Sequence, residues 1–136
     1  MKSTIVIYEH EQVTSKAAAK RIAYYLGAQT TCTHHIEKSI LESVDNFVLC
    51  LYPCNGGMLS DEWKCALDKL TQHDLTGKTF AVFAEPIDGA GIVTPPFVNE
   101  VYKRLHLHNA SIVARPGWKG RPEGIDGWIS SVSPNF

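Results

Sequence analysis

Cys54 stands in the segment Phe47-Val48-Leu49-Cys50-Leu51-Tyr52-Pro53-Cys54-Asn55-Gly56-Gly57-Met58-Leu59-Ser60-Asp61-Glu62-Trp63, where an apolar run ends and an amphipathic pattern begins. A thiol at a loop apex near a helix start ionises readily, so Cys54 is a candidate nucleophile. Beside it, Asn55-Gly56 is the dipeptide most tolerant of positive φ, and the peptide between the two residues is free to turn over. The histidines raise metal binding, since imidazole is a common ligand. Adjacent His34-His35 on a strand point to opposite faces, however, and His106-x-His108 at a helix end does not converge. Surface histidines and no metal site are therefore expected. Cys32, Cys50, Cys54 and Cys65 form no C-x-x-C pair and read as reduced thiols. Cys50 and Cys54, along a strand and its following loop, do not close easily into a disulfide.

Several function classes have no support. There is no Gly-x-Ser-x-Gly, Walker loop or dinucleotide fingerprint, so hydrolase and nucleotidase readings fall away. A net charge of -1 supplies no broad field for nucleic acid or an anionic membrane. No apolar run approaches the roughly 20 residues of a membrane span, and the first residues do not read as a signal peptide. A cytoplasmic, monomeric protein is expected. The 136 residues suit one domain spanning 1–136, with no repeat or linker.

The elements that must position these groups alternate strictly. Thr4–Tyr8 is a β-branched strand. A helix follows, capped by Thr14 or Ser15 and ended by Gly27, with Ala17, Ala18, Ala19, Ile22, Ala23, Tyr25 and Leu26 at helical spacing. Thr30–His34 suits an edge strand, and Ile36–Val44 a short helix. Phe47–Tyr52 is a buried central strand that delivers the Cys54 loop at its carboxyl end, where open α/β sheets hold ligands. A helix from Ser60 turns Trp63, Ala66, Leu67 and Leu70 inward. Thr79–Ala84 is the fourth strand, and a helix begins near Pro96 with Phe97, Val98, Val101, Tyr102 and Leu105 inside. Ala110–Ala114 is the fifth strand, and Ile125, Trp128, Ile129 and Val132 make a closing helix. This is an α/β chain: a parallel sheet covered on both faces, in either the nucleotide-binding order or the order 2-1-3-4-5.

Four pieces in order carry a resemblance to the flavodoxin family. Tyr52-Pro53-Cys54-Asn55-Gly56-Gly57-Met58-Leu59 with Trp63 is similar to its Pro-Thr-Trp-x-x-Gly-Glu-Leu-x-x-x-Trp/Phe loop. Asp74-Leu75-Thr76-Gly77-Lys78-Thr79-Phe80-Ala81-Val82-Phe83 resembles Asp-Leu-x-Gly-Lys-x-x-Ala-x-Phe, Ala110-Ser111-Ile112-Val113 resembles Gly-Ala-x-Ile-Val, and Ile125-Asp126-Gly127-Trp128 resembles Ile-x-x-Trp. The length resembles the short-chain class. The resemblance implies a three-layer α/β/α sandwich with a five-stranded parallel sheet of order 2-1-3-4-5. It also implies FMN at the ends of the first and third strands, and one-electron transfer between a reductase and an acceptor protein.

Three loops do that work in the family. The first, Ser/Thr-x-Thr-Gly-x-Thr, cradles phosphate at a helix N-terminus. Here it reads Glu9-His10-Glu11-Gln12-Val13-Thr14-Ser15, so His10, Gln12, Thr14 and Ser15 are the candidate phosphate ligands and Glu9 and Glu11 oppose them. In the second, Pro53, Cys54, Asn55, Gly56 and Gly57 face the flavin, with Cys54 replacing the stacking aromatic and Asn55-Gly56 as the peptide that turns over on reduction. In the third, Glu85, Asp88 and Gly89 approach the ring's polar edge, with no aromatic between Glu85 and Pro95. A fourth feature, the basic turn of Arg115, Lys119 and Arg121 around Trp118, lies where such chains approach partners. The resemblance implies an FMN electron carrier with no catalytic side chain of its own. The altered loops suggest, as the alternative, an interaction or regulatory module that has lost flavin. A small enzyme using Cys54 is the third reading.

Overall fold

The computed structural model describes residues 3–10, 12–51, 58–84, 97–113, 124–132, 134 and 136. The five strands β1 (Thr4–Tyr8), β2 (Gln29–Cys32), β3 (Asn46–Leu51), β4 (Thr79–Ala84) and β5 (Ser111–Ile112) lie parallel in the order β2-β1-β3-β4-β5. The five helices are α1 (Val13–Leu26), α2 (Lys38–Ser43), α3 (Asp61–Leu70), α4 (Phe97–Leu107) and α5 (Gly124–Val132). Of the two orders that alternation allowed, the chain adopts 2-1-3-4-5, as the resemblance implied.

The central strand shows why. Every residue of β3 is buried, because helices cover both faces of the sheet and a parallel strand there must be apolar throughout. Asn46, the polar exception, donates from Nδ2 to Thr4 Oγ1 at 3.3 Å. Alternate residues then feed two cores. Phe47, Leu49 and Leu51 point with Ile5, Ile7, Phe80 and Val82 toward α3 and α4. Val48 and Cys50 point with Val6, Ala81 and Phe83 toward α1 and α5. Phe47 and Phe80 stack at 4.7 Å between ring centres, and Phe83 meets Trp128 edge-on at 5.4 Å. Each such aromatic or leucine side chain contributes roughly 1.5–3 kcal/mol on burial.

Several expectations shift in detail. α1 begins at Val13 rather than at Thr14 or Ser15, and its cap is Gln12, whose side chain accepts from Thr14 N–H. That start brings Ser15, Ala18, Ala19, Ile22 and Ala23 onto the buried stripe and leaves Ala17 and Tyr25 outward. β2 stops at Cys32, and Thr33–His35 forms a 3-10 turn, so His34 and His35 do not alternate along a strand. α2 is trimmed to Lys38–Ser43, and Leu41 is its buried anchor.

β5 is Ser111–Ile112; of the expected span Ala110–Ala114, Ala110 and Val113 fall outside the strand and Ala114 lies outside the described residues. Beyond it, Val82 N–H on β4 donates to the Tyr102 hydroxyl of α4 at 3.2 Å. A side chain thus takes a ladder position that a longer β5 would have filled. Gly27 ends α1 at φ 64 and Gly77 turns the chain into β4 at φ 83, both left-handed positions where a side chain is strained. Among described residues, no helix is long and apolar enough to cross a membrane. Cys32 and Cys50 are buried, and Cys65 is exposed.

Candidate functional site

The site is set by two parallel neighbours. β1 and β3 pair in register, Tyr8 opposite Cys50, so the chain leaves both strands at the same rim of the sheet. Between the two departing segments stands a side-chain link: Ser60 Oγ donates to Glu9 Oε1. Glu9 therefore does not simply face water. Its carboxylate bridges the β1–α1 loop to the start of α3. Ser60 does two jobs there, since its hydroxyl oxygen also accepts Trp63 N–H at 3.2 Å as the N-cap of α3. Trp63 beneath it is fully buried, with its indole N–H unbonded among the described residues.

The start of α1 forms the second part. Gln12 N–H donates to Glu9 O at 3.1 Å, which folds the loop back on itself before the helix begins. Gln12 Oε1 then takes Thr14 N–H at 3.2 Å. The first turn of α1 holds no acidic residue, so the positive end of the helix is not neutralised from within. Thr14 is exposed. Ser15 is not: it is 2% exposed, and its Oγ has no hydrogen-bond partner among the described residues. A buried hydroxyl without a partner costs about 1–3 kcal/mol, so such groups mark places where a ligand or strain is accommodated.

The third part lies on the β2 side. His10 N–H donates to the buried Thr33 Oγ1 at 3.2 Å, fixing the loop against the turn after β2. The His10 and His34 rings stack, centres 4.0 Å apart and planes 24° apart. His34 Nε2 lies 2.5 Å from Glu62 Oε1 on the first turn of α3. Sequence reasoning did not find Thr33, Ser60 or Glu62, and it weighed His34 only as a metal ligand and read it as a surface histidine. Only Ser60 carried a local signal, as a hydroxyl directly before an amphipathic helix with acids in its first turn. The others come from elements distant in sequence.

Of the expected ligands, His10, Gln12, Thr14 and Ser15 stand together at this rim. Pro53, Cys54, Asn55, Gly56, Gly57, Glu85, Asp88 and Gly89 lie outside the described residues, as do Glu11 and the turn from 114 to 123. His106 and His108 lie at the far end of α4, where His108 O accepts Leu75 N–H at 2.9 Å. Among described residues no group of three or more histidine, cysteine or acidic side chains is placed to hold a metal ion.

No family model matches the chain. No curated protein sequence matches it either. Solved structures do. A short-chain flavodoxin associated with a non-canonical PDU bacterial microcompartment superposes with a TM-score of 0.76 at 17% identity, covering 99% of both chains. The Fusobacterium nucleatum flavodoxin bound to flavin mononucleotide gives 0.73 at 17% identity, over 100% of this chain and 99% of that one. Oxidised flavodoxin 1 from Bacillus cereus gives 0.74 at 21% identity, over 98% and 99%. The fold of this chain is flavodoxin-like over nearly its whole length.

Proposed function

We propose that this chain is a flavodoxin-like FMN-binding one-electron carrier that passes electrons between a reductase and an acceptor protein. The observation that carries the reading is Ser15 Oγ, a buried hydroxyl with no partner among the described residues, at the start of a helix whose first turn has no acid. A phosphate oxygen accepts from such a hydroxyl and from the helix N–H groups. Gln12 Oε1 now serves Thr14 N–H as an anion's oxygen would, and gives way when phosphate arrives.

Thr14 and His10 complete the phosphate end. The loop of Pro53, Cys54, Asn55, Gly56 and Gly57, with Glu85, Asp88 and Gly89, would meet the ring. Bound FMN supplies the electron chemistry; the protein orients it, and no side chain acts as a catalyst. Cys54 in place of an aromatic weakens the stack by roughly 1–3 kcal/mol. The partners are redox proteins, and the chain acts as a cytoplasmic monomer that binds neither nucleic acid nor membrane.

The test is quenching of flavin fluorescence at micromolar protein, run with FMN and riboflavin in parallel. Quenching of FMN supports the reading, and failure of both flavins removes it. One observation favours a second reading, an interaction or regulatory module without flavin. Glu9 holds a negative charge at the phosphate loop through its bond with Ser60. That reading expects neither flavin to be quenched.

A further inference from the structure

We infer that the outward face of α1 is a docking surface for a partner protein with an acidic face. This goes beyond the function proposed above, and it holds for a flavin carrier and for a module without flavin alike.

The surface follows from the composition and period of the helix. α1 holds Lys16, Lys20 and Arg21, three of the chain's 13 lysines and arginines, and none of its 14 acids. Each of the other four helices carries at least one acid. Ser15, Ala18, Ala19, Ile22 and Ala23 are buried, so helical periodicity sets Val13, Ala17, Lys20 and Tyr24 in one row down the opposite side. All four are exposed, as are Lys16 on one flank of the row and Tyr25 on the other. Among the described residues five large hydrophobic side chains are exposed, and three of them are here: Val13 at 79%, Tyr24 at 83% and Tyr25 at 57%. The two tyrosine rings meet edge-on, their centres 5.6 Å apart. Tyrosine gives large contact area for few rotatable bonds, which is why it concentrates at binding surfaces. Lys16 and Lys20 make no ion pair among the described residues.

Charge decides the occupant. Lys20 lies within the row, between Ala17 and Tyr24, so a partner that covers Val13 and Tyr24 also covers its ammonium group. Burying that charge costs free energy unless an anion meets it. A helix that lies in a membrane surface needs an unbroken apolar side, and Lys20 interrupts this one. A nucleic acid or an anionic bilayer also extends past a single helix, over a molecule whose remaining residues hold more acids than bases. The acidic face of a protein fits the helix alone. Its carboxylates pair with Lys16 and Lys20 while its apolar centre covers Val13 and Tyr24, the usual anatomy of an interface with opposite charges around an aromatic contact.

Mapping of amide shifts by NMR on the full chain tests this with two probe proteins, a plant-type ferredoxin with an acidic surface and cytochrome c with a basic one. The ferredoxin is expected to shift amides between Val13 and Tyr25, and to bind about tenfold more weakly in about 0.2 M salt than in about 0.02 M. Reversing both charges, Lys16→Glu with Lys20→Glu, is expected to weaken it at least about tenfold. Tyr24→Ala should weaken it severalfold and leave the salt dependence in place. Both variants change exposed side chains only, and an unaltered urea unfolding curve checks their folding. Absence of ferredoxin binding overturns the inference, as do shifts confined to other elements or affinity untouched by the charge reversal. Tighter binding of cytochrome c at α1 overturns it as well. Three further controls overturn it if they move the same amides: vesicles of phosphatidylcholine with phosphatidylserine would make the face a membrane site, duplex DNA a nucleic-acid site, and concentrating the chain alone a contact between copies. The measurement needs no flavin, so its failure and the failure of the flavin titration above are read separately.

Discussion

The Tyr102 hydroxyl on α4 accepts the backbone N–H of Val82 on β4 at 3.2 Å, so a helix side chain completes the hydrogen bonding of a strand whose neighbour is too short to reach it. Tyr102→Phe leaves that N–H unpaired in a well-covered sheet and is expected to lower stability by about 1–3 kcal/mol, read by urea unfolding. The same residue gives an alkaline signature. Burial pushes the Tyr102 hydroxyl above the ordinary tyrosine range, against the smaller opposing effect of its bond with Val82. Above about pH 10 the unfolded chain ionises first, so this part of the stability is full below that range and is lost as pH rises toward the folded-state value. The difference in stability between the unaltered protein and Tyr102→Phe should therefore shrink above pH 10. A constant difference would show that burial does not hold the hydroxyl neutral.

Ser15 predicts opposite effects on stability and binding. Its Oγ is buried without a partner among the described residues, so Ser15→Ala removes a desolvation cost and adds helix propensity. The flavin-free protein is expected to gain about 1 kcal/mol. FMN, which needs that hydroxyl, should bind about tenfold more weakly, while riboflavin is unaffected. A melting curve and a paired flavin titration read both halves, and a destabilised Ser15→Ala would mean the hydroxyl is satisfied after all.

Ser60 and Glu9 can be separated by two variants. Ser60→Ala loses the cap on Trp63 N–H together with the bond to Glu9, and should cost about 1–2 kcal/mol in denaturant unfolding. Glu9→Gln keeps a hydrogen-bond acceptor for Ser60 and removes one negative charge from the phosphate loop. It should tighten FMN severalfold without changing riboflavin. Unchanged FMN affinity would place the carboxylate too far from the phosphate to matter.

Asp74 gives an acid-side prediction. Hydrogen bonds from the Asn109 side chain and from the Thr76 hydroxyl and N–H hold its carboxyl below the ordinary aspartate range. A lowered folded-state value means that this stabilisation is present above about pH 4 and is lost as pH falls through the folded-state value. Asp74→Asn should flatten the acid limb of the stability profile. Asn109→Ala should do the same and also strain the backbone, because Asn109 sits at φ 73.

What the sequence determined by itself is the alternation and the core. Phe47 to Leu51 is apolar at every position, which only a strand covered on both faces needs. Trp63, Ala66, Leu67 and Leu70 recur at helical spacing, and all are buried in α3. Such signals are local, since each residue's burial follows from the period of its own element. Tertiary structure alone decided what stands at the carboxyl rim. Ser15 read as a helix cap, yet Gln12 caps the helix and Ser15 is buried in its first turn, its hydroxyl without a partner among the described residues. His34 read as a strand residue facing solvent, yet the 3-10 turn after Cys32 set its ring on His10 and its Nε2 against Glu62. Glu9 met Ser60 across 51 positions of chain because β1 and β3 run side by side, and no periodicity within either loop encodes that neighbourhood.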